Sequence, residues 1–306
     1  MTKDERRRSP TLLLTLHTLH PALQQALAAF GDSSPIRSLD RVGGGDINAA
    51  AHVETERGRY FVKWNPRPLP RMFEVEARGL RRLKSAHAVR VPDVIAVLDE
   101  PPGLILEWID SRGAKSEAGE ALGRQLAQQH RVLGQIYGLD HDNYIGSNQQ
   151  SNRPANSWLE FFRDQRLGSQ MELARRNGHL NAPRATRLER LMSRLDEWID
   201  AARCAPSLLH GDLWGGNFIT GPTGEPVLID PAVYYGDREA EIAFTELFGG
   251  FGSRFYAAYN EAWPLAPGYA DRRDLYNLYH LLNHLNLFGE GYGGSVDAIL
   301  RRYAGV

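Results

Sequence analysis

The sequence predicts an α+β protein in two lobes, a small β-rich lobe over residues 1–108 and a larger, mainly helical lobe over residues 109–306. Three observations predict it. Short β-like runs separated by Gly, Pro and polar turns fill the stretch from Leu39 to Trp108. Beyond it the apolar positions change to helical spacing, as at Leu122, Leu126 and Val132. The chain has 306 residues, enough for two packed cores rather than one small one.

Pro21 to Phe30 reads as an amphipathic helix that stops at Gly31. Leu39 to Val42 leads into Gly43-Gly44-Gly45. Ala50 to Val53 and Tyr60 to Lys63 are short strands joined by Thr55-Glu56-Arg57-Gly58, the pattern of a hairpin. Arg67 to Pro70 holds two prolines and cannot be helical throughout. A helix-period run follows, with Met72, Val75, Leu80 and Leu83 on one side. Val94 to Leu98 and Leu104 to Trp108 are again strand-like, and Glu107-Trp108-Ile109 falls where the two lobes should join. In the second lobe Ala118 to Leu133, Trp158 to Arg175 and Arg187 to Ala202 read as helices. Short strands return from Ser207 to Ile229, and Glu239 to Tyr303 is helical around a Gly- and aromatic-rich insert.

Composition narrows the function classes. Hydrophobic content of 42% with 24% charged residues is that of a folded soluble protein, and a formal net charge of -1 argues against a general nucleic-acid binder. The single cysteine, Cys204, excludes an intrachain disulfide framework and a Cys-based metal site. Leu12-Leu13-Leu14 is too short for a signal-peptide core, and no run approaches the ~18 apolar residues of a spanning helix. The expectation is a cytoplasmic protein with no membrane or nucleic-acid partner. His280 and His284 stand four apart on a helix, but no third ligand accompanies them to suggest zinc.

The chemistry is concentrated in Leu209-His210-Gly211-Asp212-Leu213-Trp214-Gly215-Gly216-Asn217 and in Val227-Leu228-Ile229-Asp230-Pro231. Asp212 precedes Asn217 by five residues, and Asp230 comes thirteen further on at the end of an apolar run. Phosphoryl transfer needs these parts in this order: a carboxylate to take the proton of the attacking hydroxyl, then an amide and a carboxylate to hold Mg²⁺ on the phosphates. Protein kinases share the spacing, but here His-Gly-Asp replaces His-Arg-Asp and Pro follows the metal Asp, which points to small-molecule kinases of a protein-kinase-like bilobal fold. Lys63, ending a strand, suits the nucleotide phosphates, with Glu76 at the next helix to orient it and Glu74 as the alternative. Such acids also favour a helix N-terminus for its own sake. Gly43, Gly44 and Gly45 could let the backbone approach phosphates, or form only a flexible turn. Backbone groups of Glu107, Trp108 and Ile109 could pair with an adenine edge. His210 reads as an orienting residue for the loop.

These motifs resemble the fructosamine kinase (ketosamine-3-kinase) family, whose members look like aminoglycoside phosphotransferases in fold. The resemblance runs over nearly the whole chain. It rests on Gly43-Gly44-Gly45-Asp46-Ile47-Asn48, Tyr60-Phe61-Val62-Lys63, Met72-Phe73-Glu74-Val75-Glu76-Ala77, Asp142-Asn143-Tyr144-Ile145-Gly146-Ser147 and the His210–Asn217 loop, where Gly215 replaces the family's Ser. Tyr235-Gly236-Asp237-Arg238-Glu239, Phe248-Gly249-Gly250-Phe251 and Leu282-Asn283-His284-Leu285-Asn286 match as well. Asp46 stands where some members carry a redox-switch Cys, so that switch is not expected.

The resemblance implies ATP- and Mg²⁺-dependent phosphorylation of the 3-hydroxyl of ketosamines, as small molecules or on glycated protein lysines, in a monomer or homodimer. It implies Asp212 as the base, Asn217 and Asp230 as metal ligands, and Lys63, Glu76 and the Gly43–Gly45 loop on the nucleotide. His210, Trp214 and His284 are the candidate substrate residues. The competing readings are a kinase of another small hydroxyl substrate, aminoglycoside- or choline-like, and a non-catalytic nucleotide-binding protein. The latter would usually have lost one of Lys63, Asp212, Asn217 or Asp230.

Overall fold

The computed structural model describes residues 10–43, 48–111 and 115–305. They fall into two compact units, one made of the described residues up to 81 and of 92–110, the other of 82–91 and the described residues from 111 on.

The first unit is a five-stranded antiparallel sheet with helices. Its elements are α1 (Pro10–Phe30), β1 (Ile36–Val42), β2 (Ala49–Thr55), β3 (Arg59–Trp64), α2 (Met72–Ser85), β4 (Val94–Asp99) and β5 (Pro102–Glu107). Strand order is β1-β2-β3-β5-β4. The β2–β3 hairpin turns through Thr55–Gly58, closed by the Thr55 amide on the Gly58 carbonyl at 2.9 Å. Helix α1 starts earlier than the sequence reading and carries Pro21 in its interior. The physical reason is the buried stripe Leu19, Leu23 and Leu27, which begins before the proline and packs with Ala51, Val53, Val62 and Ile105. Each such leucine contributes roughly 1.5–3 kcal/mol, against one backbone bond lost at Pro21. Gly44, Gly45 and Asp46 lie outside the described residues.

The end of α1 is tied to the hairpin by buried Asp32. Its carboxylate accepts from the Thr55 hydroxyl at 2.6 Å, the Tyr60 hydroxyl at 2.9 Å and the Ser34 amide at 3.1 Å. Burial alone would raise its pKa, but these bonds bring it down to about 2. A depressed carboxylate stabilises the fold above its unfolded pKa and loses that contribution as pH falls. Thermal stability should therefore decline between about pH 4 and pH 2, and Asp32→Asn should flatten that part of the profile in a melting series. An unchanged acid limb in the variant would contradict this assignment.

The second unit is mainly helical. It contains α3 (Lys115–His130), β6 (Asn143–Ile145), β7 (Asn148–Gln150), α4 (Trp158–Phe161), α5 (Ser169–Arg176), α6 (Ala182–Met192), β8 (Ser207–Leu209), β9 (Phe218–Thr220), β10 (Pro226–Leu228), β11 (Tyr234–Gly236), α7 (Arg238–Leu247), α8 (Ser253–Ala262), α9 (Tyr269–Phe288) and α10 (Gly293–Ala304). A π-helical stretch, Phe162–Gly168, joins α4 to α5. There Arg166 is fully buried, stacked 3.9 Å from the Tyr234 ring and donating to the Ser151 carbonyl at 2.6 Å and Asn152 Oδ1 at 2.9 Å. The helix expected over Arg187–Ala202 is instead α6, capped by Asn181, whose side chain accepts from the Arg184 amide at 2.9 Å. Two short 3₁₀ turns follow it, the second capped by Asp200. Helix α3 ends at His130 because the chain beyond it turns to bridge: the Leu208 amide donates to the Val132 carbonyl at 3.0 Å. Residues 82–91 belong here through the Arg90–Glu225 ion pair and the Leu228 amide on the Arg90 carbonyl.

Candidate active site

In the first unit, β3 delivers Lys63 to a position where it is only 7% exposed. Its ammonium pairs with Glu76 on α2. Glu74 pairs instead with Arg71 at 2.5 Å on the surface. Two residues apart on a helix, the acids point about 200° apart, so only one can face the sheet. A buried Lys–Glu pair holds the ammonium in one place. Of the three segment residues expected to meet an adenine edge, two have committed their amides. Glu107 N–H donates to the Asp93 carbonyl at 2.8 Å and Trp108 N–H to the Arg59 carbonyl at 3.3 Å. Among the described residues nothing accepts from the Ile109 amide, which leaves it as the donor available there.

In the second unit, strands β8 and β11 pair antiparallel and hold the loop that begins at His210. His210 is fully buried. Its Nε2 lies 2.9 Å from the Ile229 carbonyl, which can only accept, and its Nδ1 receives the Asp212 amide at 3.3 Å. These two bonds fix the neutral Nε2–H tautomer, and burial lowers the imidazole pKa to match. Both nitrogens are spent on the backbone, so His210 shapes the loop. Gly211 takes φ +85°, and a Cβ there would stand 2.0 Å from the Ala232 carbonyl oxygen. Gly211→Ala should cost at least about 3 kcal/mol and abolish turnover. Near-normal melting and activity would show that the loop relaxes.

Asn217 binds the parts of the site together. Its Nδ2 donates to the Asp212 carbonyl at 2.8 Å, to Asp212 Oδ2 at 3.1 Å and to the Asp230 carbonyl at 3.4 Å. The amide is thereby oriented, and among the described residues its Oδ1 has no donor. Asp230 is exposed and sits at φ +53°, a strained conformation that Asp tolerates better than most residues. Burial first, and then the charge of Asp230, push the Asp212 carboxyl up to about 7. An amide oxygen and a carboxylate are the hard donors that Mg²⁺ takes in ones and twos, completing its shell with phosphate and water. The residues present fit that ion.

Two supports were not visible in the sequence. Glu241 on α7 is 3% exposed and accepts from the His210 amide at 3.1 Å and the Gly211 amide at 2.6 Å. His130 Nε2 also meets it at 2.9 Å, and Tyr259 backs that ring at 2.8 Å. Burial would raise Glu241, but His130, His210 and the Gly211 amide hold it below the usual carboxylate range. The second support is an amide network on β6 and β7. Asn143 donates to the Val233 carbonyl at 2.8 Å, Gln150 to the Ala232 carbonyl at 3.0 Å, and Tyr279 to Gln150 at 2.7 Å. It clamps the backbone just after Asp230. Asn143 in the segment Asp142–Ser147, with Asn148-Gln149-Gln150 directly after it, was the available signal.

The two remaining substrate candidates lie on different elements. Trp214 is 43% exposed and folds over Gly216, where a Cβ would stand 2.2 Å from the indole. His284, on α9, donates from Nδ1 to the His280 carbonyl at 2.8 Å and lies against Phe248. Gly215 touches Gly250 so closely that a Cβ at 215 would stand 3.0 Å from its Cα. A Ser at this position would push the 248–250 loop outward.

Comparison with known proteins places these features. The family described as fructosamine kinase matches residues 20–304. The protein-ribulosamine 3-kinase, chloroplastic, of Oryza sativa subsp. indica is 41% identical over 290 residues, covering 92% of this chain and 83% of its own length. A probable ketoamine kinase of Lactiplantibacillus plantarum is 42% identical over 270 residues, covering 88% and 95%. Among solved structures, a protein of Haemophilus somnus 129PT named as a fructosamine-3-kinase superposes with TM-score 0.84 at 30% identity, covering 95% and 99%. The choline kinase LicA of Streptococcus pneumoniae, at 15% identity and TM-score 0.61 over 93% and 97%, shares the fold.

Proposed function

Because the chain belongs to the fructosamine kinase family, we propose that it transfers the γ-phosphoryl group of ATP to the 3-hydroxyl of a ketosamine of ribulosamine or fructosamine type, free or on a protein lysine. A ketosamine carrying phosphate on that oxygen is unstable and releases its amine, so the activity serves deglycation. The observation that carries the reading is the hydrogen-bonded set Asp212, Asn217 and Asp230 on a buried, backbone-locked loop.

Asp212 takes the proton of the 3-hydroxyl and aims its oxygen at phosphorus; a carboxylate held near neutrality by its surroundings is matched to that task. His210 and Glu241 fix the backbone that carries it. Asn217 Oδ1 and Asp230 would hold Mg²⁺, which neutralises charge developing on the phosphates. Lys63, oriented by Glu76, binds the α/β-phosphates. The Ile109 amide offers a donor to the adenine edge. Trp214 presents an exposed aromatic face to sugar C–H groups, and His284 an acceptor nitrogen.

An aminoglycoside is a polycation and needs unpaired acids. The nine acids of the last 70 residues are all engaged; Asp237 caps α7 by accepting from the Glu239 amide at 2.8 Å. Glu239, Glu246, Glu261, Asp271, Asp274, Glu290 and Asp297 each meet an arginine, and Glu241 meets His130 and two amides. That favours the ketosamine. Asp230→Asn should raise the Mg²⁺ concentration for half-maximal turnover at least ~10-fold or abolish activity, read by titrating the metal at saturating ATP. Unchanged magnesium dependence would remove Asp230 from the metal site.

A further inference from the structure

The second unit carries a group of aromatic side chains that its own core does not cover. Phe248 is 43% and Phe288 62% exposed. Single exposed apolar residues are ordinary, but these are joined. The His284 ring lies 4.7 Å from Phe248, 5.6 Å from Phe288 and 5.1 Å from Tyr292, and Phe288 lies 6.1 Å from Tyr292. The group is supported from beneath, where Phe244 stacks on buried His280 at 3.5 Å and meets Phe248 edge-on at 5.9 Å. The rings therefore pack on one another and on a buried layer below.

The chemistry of the patch is specific. Glu290, two residues from Tyr292, is engaged by Arg184 and His179. His284 donates through Nδ1 to a carbonyl, which leaves Nε2 as the acceptor of a neutral ring. The patch thus offers aromatic faces and one acceptor, which suits a hydrocarbon or aromatic group better than a phosphate or a polycation. It is also continuous with the catalytic loop. The chain after Phe248 reaches Gly215 so closely that a Cβ on Gly250 would stand 2.7 Å from the Gly215 Cα, three residues from Asp212.

A ketosamine has two ends: a polar sugar, whose hydroxyl must reach Asp212, and an amine substituent that varies between substrates. Resting on the kinase reading above, we infer that Phe248, Phe288 and Tyr292, packed around His284, form a subsite for the apolar arm of the ketosamine amine. The sugar stays at the loop, and the arm lies on the rings.

The test compares two ribulosamines, one made from benzylamine and one from glycine, by kcat/KM with the purified protein. The wild-type protein should favour the benzyl adduct by at least ~10-fold, the scale of one ring or a few methylenes gained in an apolar pocket. Phe288→Ala and Phe248→Ala should each reduce that preference ~3–10-fold through KM, leave kcat in place and spare the glycine adduct; Phe288→Leu should restore much of it. Phe288 is mostly exposed, so its variants should fold. Turnover of the glycine adduct with no preference, or equal losses on both adducts, overturns the subsite and leaves the kinase reading standing. Turnover of neither adduct overturns both. A change in sedimenting mass in Phe288→Ala with the preference intact overturns the subsite and makes the patch a contact between copies.

Discussion

Replacing Asp212 with Asn lowers kcat about 10³-fold or more while the protein folds normally and still binds ATP. A positioned general base contributes about 10²–10⁴-fold, and the amide cannot take the proton. The fold should survive because Asn retains an oxygen for the Asn217 Nδ2 donor that now meets Asp212 Oδ2 at 3.1 Å, and because the Asp212 amide bond to His210 is backbone. The substitution also removes a carboxyl that burial and Asp230 hold up at about 7, so the variant should melt no lower than the parent. Single-turnover kinetics beside nucleotide titration separate the steps. A kcat within tenfold of the parent would show that another group takes the proton.

The second large effect is expected at a residue that touches no substrate. Glu241→Ala leaves the His210 amide, the Gly211 amide and His130 Nε2 without their acceptor in a buried place. Each stranded donor costs roughly 1–3 kcal/mol, so a loss of about 4 kcal/mol and a melting point lower by about 10 °C are expected. Glu241→Gln separates stability from positioning. Its single acceptor oxygen keeps one amide, its NH₂ opposes the other donors, and the loop carrying Asp212 loses its register. The glutamine variant should fold and bind ATP, with kcat reduced ~10–100-fold and KM for the ketosamine little changed. Parent-like kcat in the glutamine variant would make Glu241 a purely structural residue.

What was legible in the sequence was local. The β2–β3 hairpin followed from a polar four-residue turn between apolar runs, and the loop from Leu209 to Asn217 announced itself by residue type and spacing. The preference for Glu76 over Glu74 beside Lys63 agrees with the ion pair observed. What was not legible depends on distant residues. Glu241 lies 31 residues from the amide of His210, and nothing local marks it as buried. Strands β6, β7, β8 and β11 have three residues each, too few for a periodic pattern. Helix α1 runs through Pro21 because Leu19 completes a stripe whose partner sheet lies later in the chain. Nor does the sequence show that both His210 nitrogens are taken, one by the Ile229 carbonyl and one by the Asp212 amide. Likewise, nothing local says that the amides of Glu107 and Trp108 are committed while that of Ile109 is available.

The most direct test of the central claim is ATP consumption by the purified protein with Mg²⁺, run with a ribulosamine, a fructosamine and an aminoglycoside as acceptors and with Asp212→Asn as the control. Turnover on a ketosamine that disappears in the variant, with none on the aminoglycoside, is the expected result. Turnover on the aminoglycoside alone, or equal turnover in the variant, would contradict it.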